Sequence, residues 1–177
     1  LPKAHRSIIV LSLYKNDNLD KGIVSFPNFG TSPWDVVDKK EDYLKEHHYG
    51  WILKEDDIIE EYKKYSGGLI KQLPLKLDKG FDICHSITHF NLDHYLNSYF
   101  VICNESHCTD RGKKGNAIGL TEKTWKPIMN LHPFILVANK GSLKHLKEYG
   151  FKTFEPFIDE SYDDMDDAGK RILAIET

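Results

Sequence analysis

The stretch "GNAIGLTEKTWKPI" (residues 115–128), followed closely by "PFILVAN" (133–139), decides how this chain is read. Its glycines describe a loop, and Thr121 suits a helix N-cap because its hydroxyl can accept a first-turn N–H. Glu122 then falls in the first turn, where a helix carries partial positive charge. A helix is predicted from Glu122 to about Asn130, and the apolar run 134–138 reads as a buried strand. Upstream, "YFVICN" (99–104) reads as another strand. Strand, loop, helix and strand in close succession predict a βαβ unit.

Outward from this unit the alternation continues. "SLKHLKEY" (142–149) predicts a helix stopped by Gly150, "FKTF" (151–154) a strand, and 166–176 a last helix after the acidic run "DESYDDMDD". Toward the amino end, "AHRSIIVLSLYK" (4–15) predicts a helix and "IVSF" (23–26) a short strand. Ser32, Pro33 and Asp35 mark a helix start, with charged helices over 34–47 and 55–65, the second ending at Gly67–Gly68. "FDICHS" (81–86) suggests a strand and "NLDHYLNS" (91–98) a short helix. The expected fold class is α/β: a Rossmann-like parallel sheet flanked by helices, in one domain spanning 1–177.

With 177 residues the chain is long enough for a substantial core, and 40% hydrophobic content is ordinary for a globular domain. A net charge of -3 argues against nucleic acid as a partner. No apolar run approaches the roughly 20 residues that span a bilayer. Three cysteines, Cys84, Cys103 and Cys108, are too few for a disulfide framework, so a cytoplasmic setting is expected.

In a βαβ fold, ligands bind at the carboxyl ends of strands, where helices begin. Glu122 offers only acceptors, which suits the paired hydroxyls of a ribose, and Lys123 supplies a mobile positive charge for a diphosphate. Gly112, Gly115 and Gly119 would let the backbone come close to a ligand. The same residues also fit an ordinary capped helix with a solvated lysine, and GxxxxGK[ST] is absent.

"YFVICNES", a loop and "GLTEKTWKPIMNLHPFILVAN" together resemble the nucleotide-sugar-binding half of α-1,3-fucosyltransferases. "PKAHRSIIVLSLYKN" is similar to that family's helix with an arginine near its start. The resemblance spans roughly residues 2–154 and is dense from 99 to 138. It implies a GT-B donor domain that binds a GDP-sugar such as GDP-fucose without a metal or other cofactor. Transfer would go to a glycan or another hydroxyl acceptor. It further implies that Glu122 holds the ribose and Lys123 the pyrophosphate, with Thr121 opening the helix. Arg6 would be a second phosphate contact, and Asn104 and Glu105 would line the sugar or nucleotide edge. The order Asn-Glu-Ser departs from the family's Glu-Asn-Ser. The acceptor-binding domain, with its general base, would precede this region, so no catalytic residue carries over.

Two other readings stand beside this one. The first is a nucleotide-binding module without catalysis. The second is a metal site: His85 and His89 lie four apart with Asp93 and His94 close behind, and "CNESHC" adds Cys103, His107 and Cys108. Neither cluster matches a closed zinc pattern.

Overall fold

The computed structural model describes residues 4–26, 64, 65, 67–75, 87–108 and 118–176. The chain divides into two compact units, Leu1–Phe81 and Asp82–Thr177. The helices predicted over 34–47 and most of 55–65, and the strand over 81–86, lie outside the described residues.

In the first unit, α1 (Ala4–Lys15) forms where the apolar spacing predicts it and buries Ile8, Ile9, Val10 and Leu11. Asp17, at φ 51°, ends it: Asp17 N–H bonds to the Tyr14 carbonyl and Asn18 N–H to that of Leu13. The strand expected at 23–26 reduces to one antiparallel bridge, Phe26 with Leu75. Residues 64, 65 and 67–70 are helical, so Gly67 and Gly68 are themselves helical where a stop was expected. Gly68 serves instead as a close-approach point, because a Cβ there would overlap the Tyr14 side chain.

The second unit holds α2 (Leu92–Leu96), β1 (Val101–Asn104), α3 (Glu122–Met129), β2 (Phe134–Val137), α4 (Ser142–Glu148), a 3₁₀ turn (Ser161–Asp164) and α5 (Ala168–Glu176). β1 and β2 pair in parallel with Val101 opposite Phe134 and Asn104 opposite Val137. The two strands flank α3 in sequence, as a βαβ unit requires. The molecule is thus α/β, with a two-stranded parallel sheet among the described residues.

Val101 N–H donates to the Pro133 carbonyl and Glu105 N–H to that of Val137, so the odd-numbered residues of β2 turn their backbone groups toward β1. Leu136 N–H faces the other way and donates to the Tyr162 hydroxyl at 3.2 Å. That hydroxyl closes one edge position of the pair. The core gathers on β2: Cys103, Phe134, Leu136, Ala138, Leu143, Leu146 and Tyr162 form one buried cluster, with Trp125, Ile128 and Phe154 packed against it. Each fully buried aliphatic side chain contributes roughly 1.5–3 kcal/mol. An exposed ion pair such as Lys140–Asp166 contributes about 0–1 kcal/mol, so the apolar cluster fixes the frame on which α3 rides.

The "FKTF" segment is not a strand. Glu160 accepts the Phe154 N–H at 2.8 Å and the Thr153 hydroxyl at 2.7 Å, and the chain turns at once, with Phe157 N–H bonded to the Phe154 carbonyl. A side-chain carboxylate therefore takes the backbone donor that a neighbouring strand would have taken. Gly150, at φ 87°, ends α4 as expected, with Phe151 N–H reaching back to the Leu146 carbonyl. Among the described residues no helix is long and apolar enough to cross a membrane.

Candidate functional site

The site is the junction of β1's carboxyl end with the start of α3. Thr121 is the N-cap: its backbone is extended, and its hydroxyl accepts the Lys123 N–H at 3.4 Å. That hydroxyl also accepts from Lys123 Nζ at 3.2 Å and donates to Glu105 Oε2 at 2.6 Å. One hydrogen and two lone pairs are thereby all engaged. Lys123 Nζ completes its contacts with Glu122 Oε1 at 2.6 Å.

Glu105, one residue past β1, is fully buried beneath this turn. Its Oε1 accepts the Thr121 N–H at 2.8 Å and the Thr124 hydroxyl at 2.6 Å. Its Oε2 accepts the Thr121 hydroxyl and, at 3.3 Å, the Ser106 N–H. A buried carboxylate is costly unless its lone pairs are filled, and here four donors fill them. The positive end of α3 thus already holds an anion, supplied by the chain itself.

Glu105, expected to line the sugar or nucleotide edge, anchors the helix start, and its carboxylate has no solvent face. Asn104 ends β1 beside it; its Oδ1 is enclosed and lacks a hydrogen-bond donor. Glu122 and Lys123 stay half-buried and within reach of solvent. Partial burial pushes the Glu122 carboxyl up, but the hydrogen bond and charge of Lys123, a backbone N–H and the Thr121 hydroxyl together outweigh it and hold the carboxyl below the usual glutamate value. Arg6 belongs to the first unit, half-buried on α1 between the buried His5 and Ser7. Thr121, Glu122, Lys123, Asn104 and Glu105 are thus neighbours at one junction, while Arg6 belongs to the other unit.

Two residues of this junction were not among those expected to hold a nucleotide. Thr124, fully buried, donates to Glu105 and ties α3's first turn to β1. Cys103, on β1, donates its thiol to the Lys123 carbonyl at 3.2 Å. The signal for Cys103 was Pro127, which lies inside α3 four residues after Lys123 and has no N–H to offer that carbonyl. Thr124 left no comparable signal.

The histidine and cysteine clusters take other partners. His94 Nε2 lies 3.3 Å from Asn91 Nδ2, His89 and His107 are exposed, and Cys103 and Cys108 are buried and outside any disulfide. No metal-binding group forms among the described residues, and His85 lies outside them.

The junction pairs an accessible carboxylate with an accessible ammonium above a sealed anionic base. Such a surface can accept hydrogen bonds from paired hydroxyls and donate to a phosphate oxygen within one turn of helix. No protein-family model matches the chain, and no curated protein or solved structure matches it.

Proposed function

We propose that this chain is the donor-binding part of a glycosyltransferase, a Rossmann-like domain of GT-B type that takes a nucleotide-diphosphate sugar. A GDP-sugar such as GDP-fucose is the donor that the Thr-Glu-Lys resemblance implies, and a hydroxyl of a glycan or other acceptor receives the sugar. One observation supports this reading above the others: Glu122 and Lys123 project together from the first turn of α3, at the carboxyl end of a parallel strand.

The buried Glu105 refines how such a donor is held. With the end of α3 already neutralised, the diphosphate relies on the Lys123 ammonium rather than on the helix N–H groups. Glu122 accepts from the ribose hydroxyls. Both contacts require the Glu122–Lys123 pair to open. A solvent-accessible pair contributes about 0–1 kcal/mol, whereas each hydrogen bond to a charged group is worth roughly 1.5–3 kcal/mol, so the exchange favours the ligand. As the sugar departs, the ammonium balances charge developing on the leaving diphosphate.

Calorimetry with GDP, UDP, ADP and CDP tests the reading. One diphosphate binds with clear preference, and Lys123→Ala weakens it by about 1.5–3 kcal/mol while the fold is retained. If none of the four binds to the folded chain, or if the alanine variant binds as tightly as the parent, the reading is wrong. Binding without donor hydrolysis or transfer would favour a non-catalytic nucleotide module.

A further inference from the structure

Pro127 leaves a specific gap in α3. In an uninterrupted helix the N–H of residue 127 would donate to the carbonyl of Lys123, four residues earlier. Proline has no such hydrogen, and its ring presses on that same carbonyl. The Lys123 carbonyl is nevertheless satisfied, by the Cys103 thiol at 3.2 Å, across a separation of 20 residues. The thiol is confined to this partner: Cys103 is buried on β1, in the cluster formed with Phe134 and Leu136. Burial raises its pKa, with Glu105 adding to the shift and Lys123 opposing it, so the thiol keeps the hydrogen it donates.

We infer that Cys103 is a positioning residue for Lys123: its thiol replaces the hydrogen bond that Pro127 cannot make, and so fixes the first turn of α3 in the orientation that presents the Lys123 ammonium. The inference rests on the donor-binding reading for its consequence in ligand binding and on the Cys103–Lys123–Pro127 geometry for its cause. Lys123 is held at both of its ends, by the thiol at its carbonyl and by Thr121 and Glu122 at its ammonium. Releasing the carbonyl lets the turn rotate, and the ammonium then leaves the Thr121 hydroxyl.

The test is a double-mutant cycle on Cys103→Ala and Pro127→Ala, with Cys103→Ser as the conservative variant. GDP affinity, thermal unfolding and the acylation rate of Lys123 by a lysine-reactive ester, followed by mass spectrometry, are the readouts. Cys103→Ala is expected to weaken GDP binding and speed Lys123 acylation by about three- to ten-fold each, the span of one net hydrogen bond. Cys103→Ser retains a donor and recovers most of both. Adding Pro127→Ala to Cys103→Ala supplies a backbone N–H to the orphaned carbonyl and also recovers both, which simple loss of packing would not permit. Unchanged acylation in Cys103→Ala, or no rescue by Pro127→Ala, overturns the inference. If the parent chain binds none of GDP, UDP, ADP and CDP, the donor reading falls by itself. The acylation rates and the coupling in thermal unfolding still decide whether Cys103 positions Lys123.

Discussion

Replacing Glu105 by glutamine isolates the charge under the helix start while keeping the shape of the side chain. If the amide oxygen takes the place of Oε1, it still accepts the Thr121 N–H and the Thr124 hydroxyl. The NH₂ group then replaces Oε2 and meets two donors, the Thr121 hydroxyl and the Ser106 N–H. The Ser106 N–H has no means of accepting. The Thr121 hydroxyl can accept only by releasing one of its two lone pairs from the Lys123 N–H or the Lys123 ammonium. One charge-assisted hydrogen bond is lost, at about 1.5–3 kcal/mol, together with the favourable carboxylate at a helix N-terminus, at about 0.3–1 kcal/mol.

Against this stands the relief of a buried charge, since neutral replacements of buried ionic groups are often harmless or stabilising. Those replacements remove both partners together, whereas here the donors stay behind unmatched, and an unmatched buried donor costs about 1–3 kcal/mol. The loss therefore outweighs the relief, and Glu105→Gln is expected to destabilise the chain by about 2–4 kcal/mol. At about 2–4 °C per kcal/mol for a chain of this size, the midpoint falls by about 4–16 °C. Urea unfolding with an unchanged slope measures the difference directly. A variant within about 0.5 kcal/mol of the parent, the margin of an ordinary surface change, or one more stable than it, would refute the view that Glu105 is held by donors that need its charge.

Three further outcomes follow from single contacts. Leu131 ends α3 at φ 52° while 91% exposed, so Leu131→Gly removes a left-handed strain of roughly 1–2 kcal/mol, returns about 0.4–1 kcal/mol as unfolded-chain entropy, and raises the urea midpoint; a lower midpoint contradicts this. Tyr162→Phe orphans the buried Leu136 N–H and is expected to cost about 1–3 kcal/mol in the same assay; no loss would mean that this edge of β2 has another donor or acceptor to turn to. Because Glu122 has a lowered folded pKa, its contribution is present above the ordinary glutamate value of about 4.3 and is lost as pH falls through the lowered one. Glu122→Gln should accordingly flatten the acid side of the stability profile, and an unchanged slope below pH ~4.3 would show that the pair with Lys123 carries no such linkage.

Local pattern made most of the second unit legible. The extents of α3, β2 and α4 lie within one or two residues of the expected ones, because each carries an apolar period together with a stop or start signal: Thr121, the run at 134–138 and Gly150. The "FKTF" segment shows where such reading fails. Its alternation is that of a strand, but a strand also needs a neighbour, and Glu160 takes that neighbour's place. Gly67–Gly68 fails for the converse reason, since glycine ends a helix only in the left-handed conformation, and here it makes room for Tyr14. At the site, Thr121 was readable because capping is local. Glu105 was visible as a candidate, but its anchoring of the helix start was not legible, because its partners lie 16 and 19 residues away and no spacing rule reaches that far.

Helix α4 repeats the arrangement at the end of the second strand, and the repetition bears on how the domain can handle a ligand. Its N-cap is Gly141, which has no side chain to offer, and Asp163 supplies the missing acceptors instead: Leu143 N–H at 3.1 Å and Lys144 N–H at 3.0 Å. Asp163 is buried, like Glu105, and comes from a separate segment. Both helices that follow the parallel strands therefore begin on a carboxylate of the chain, and at each of them the backbone positive charge is spent on holding helix to sheet. A phosphate arriving at such a surface cannot be recruited by helix ends and must be recruited by side chains. A side chain can be aimed only if its own backbone is fixed, so in the proposed donor site the buried contacts around Lys123 would matter more to recognition than the exposed ones: Glu105 and Thr124 fix the turn from below, Cys103 would fix its carbonyl, and the ammonium would be left as the part that a ligand takes from Glu122.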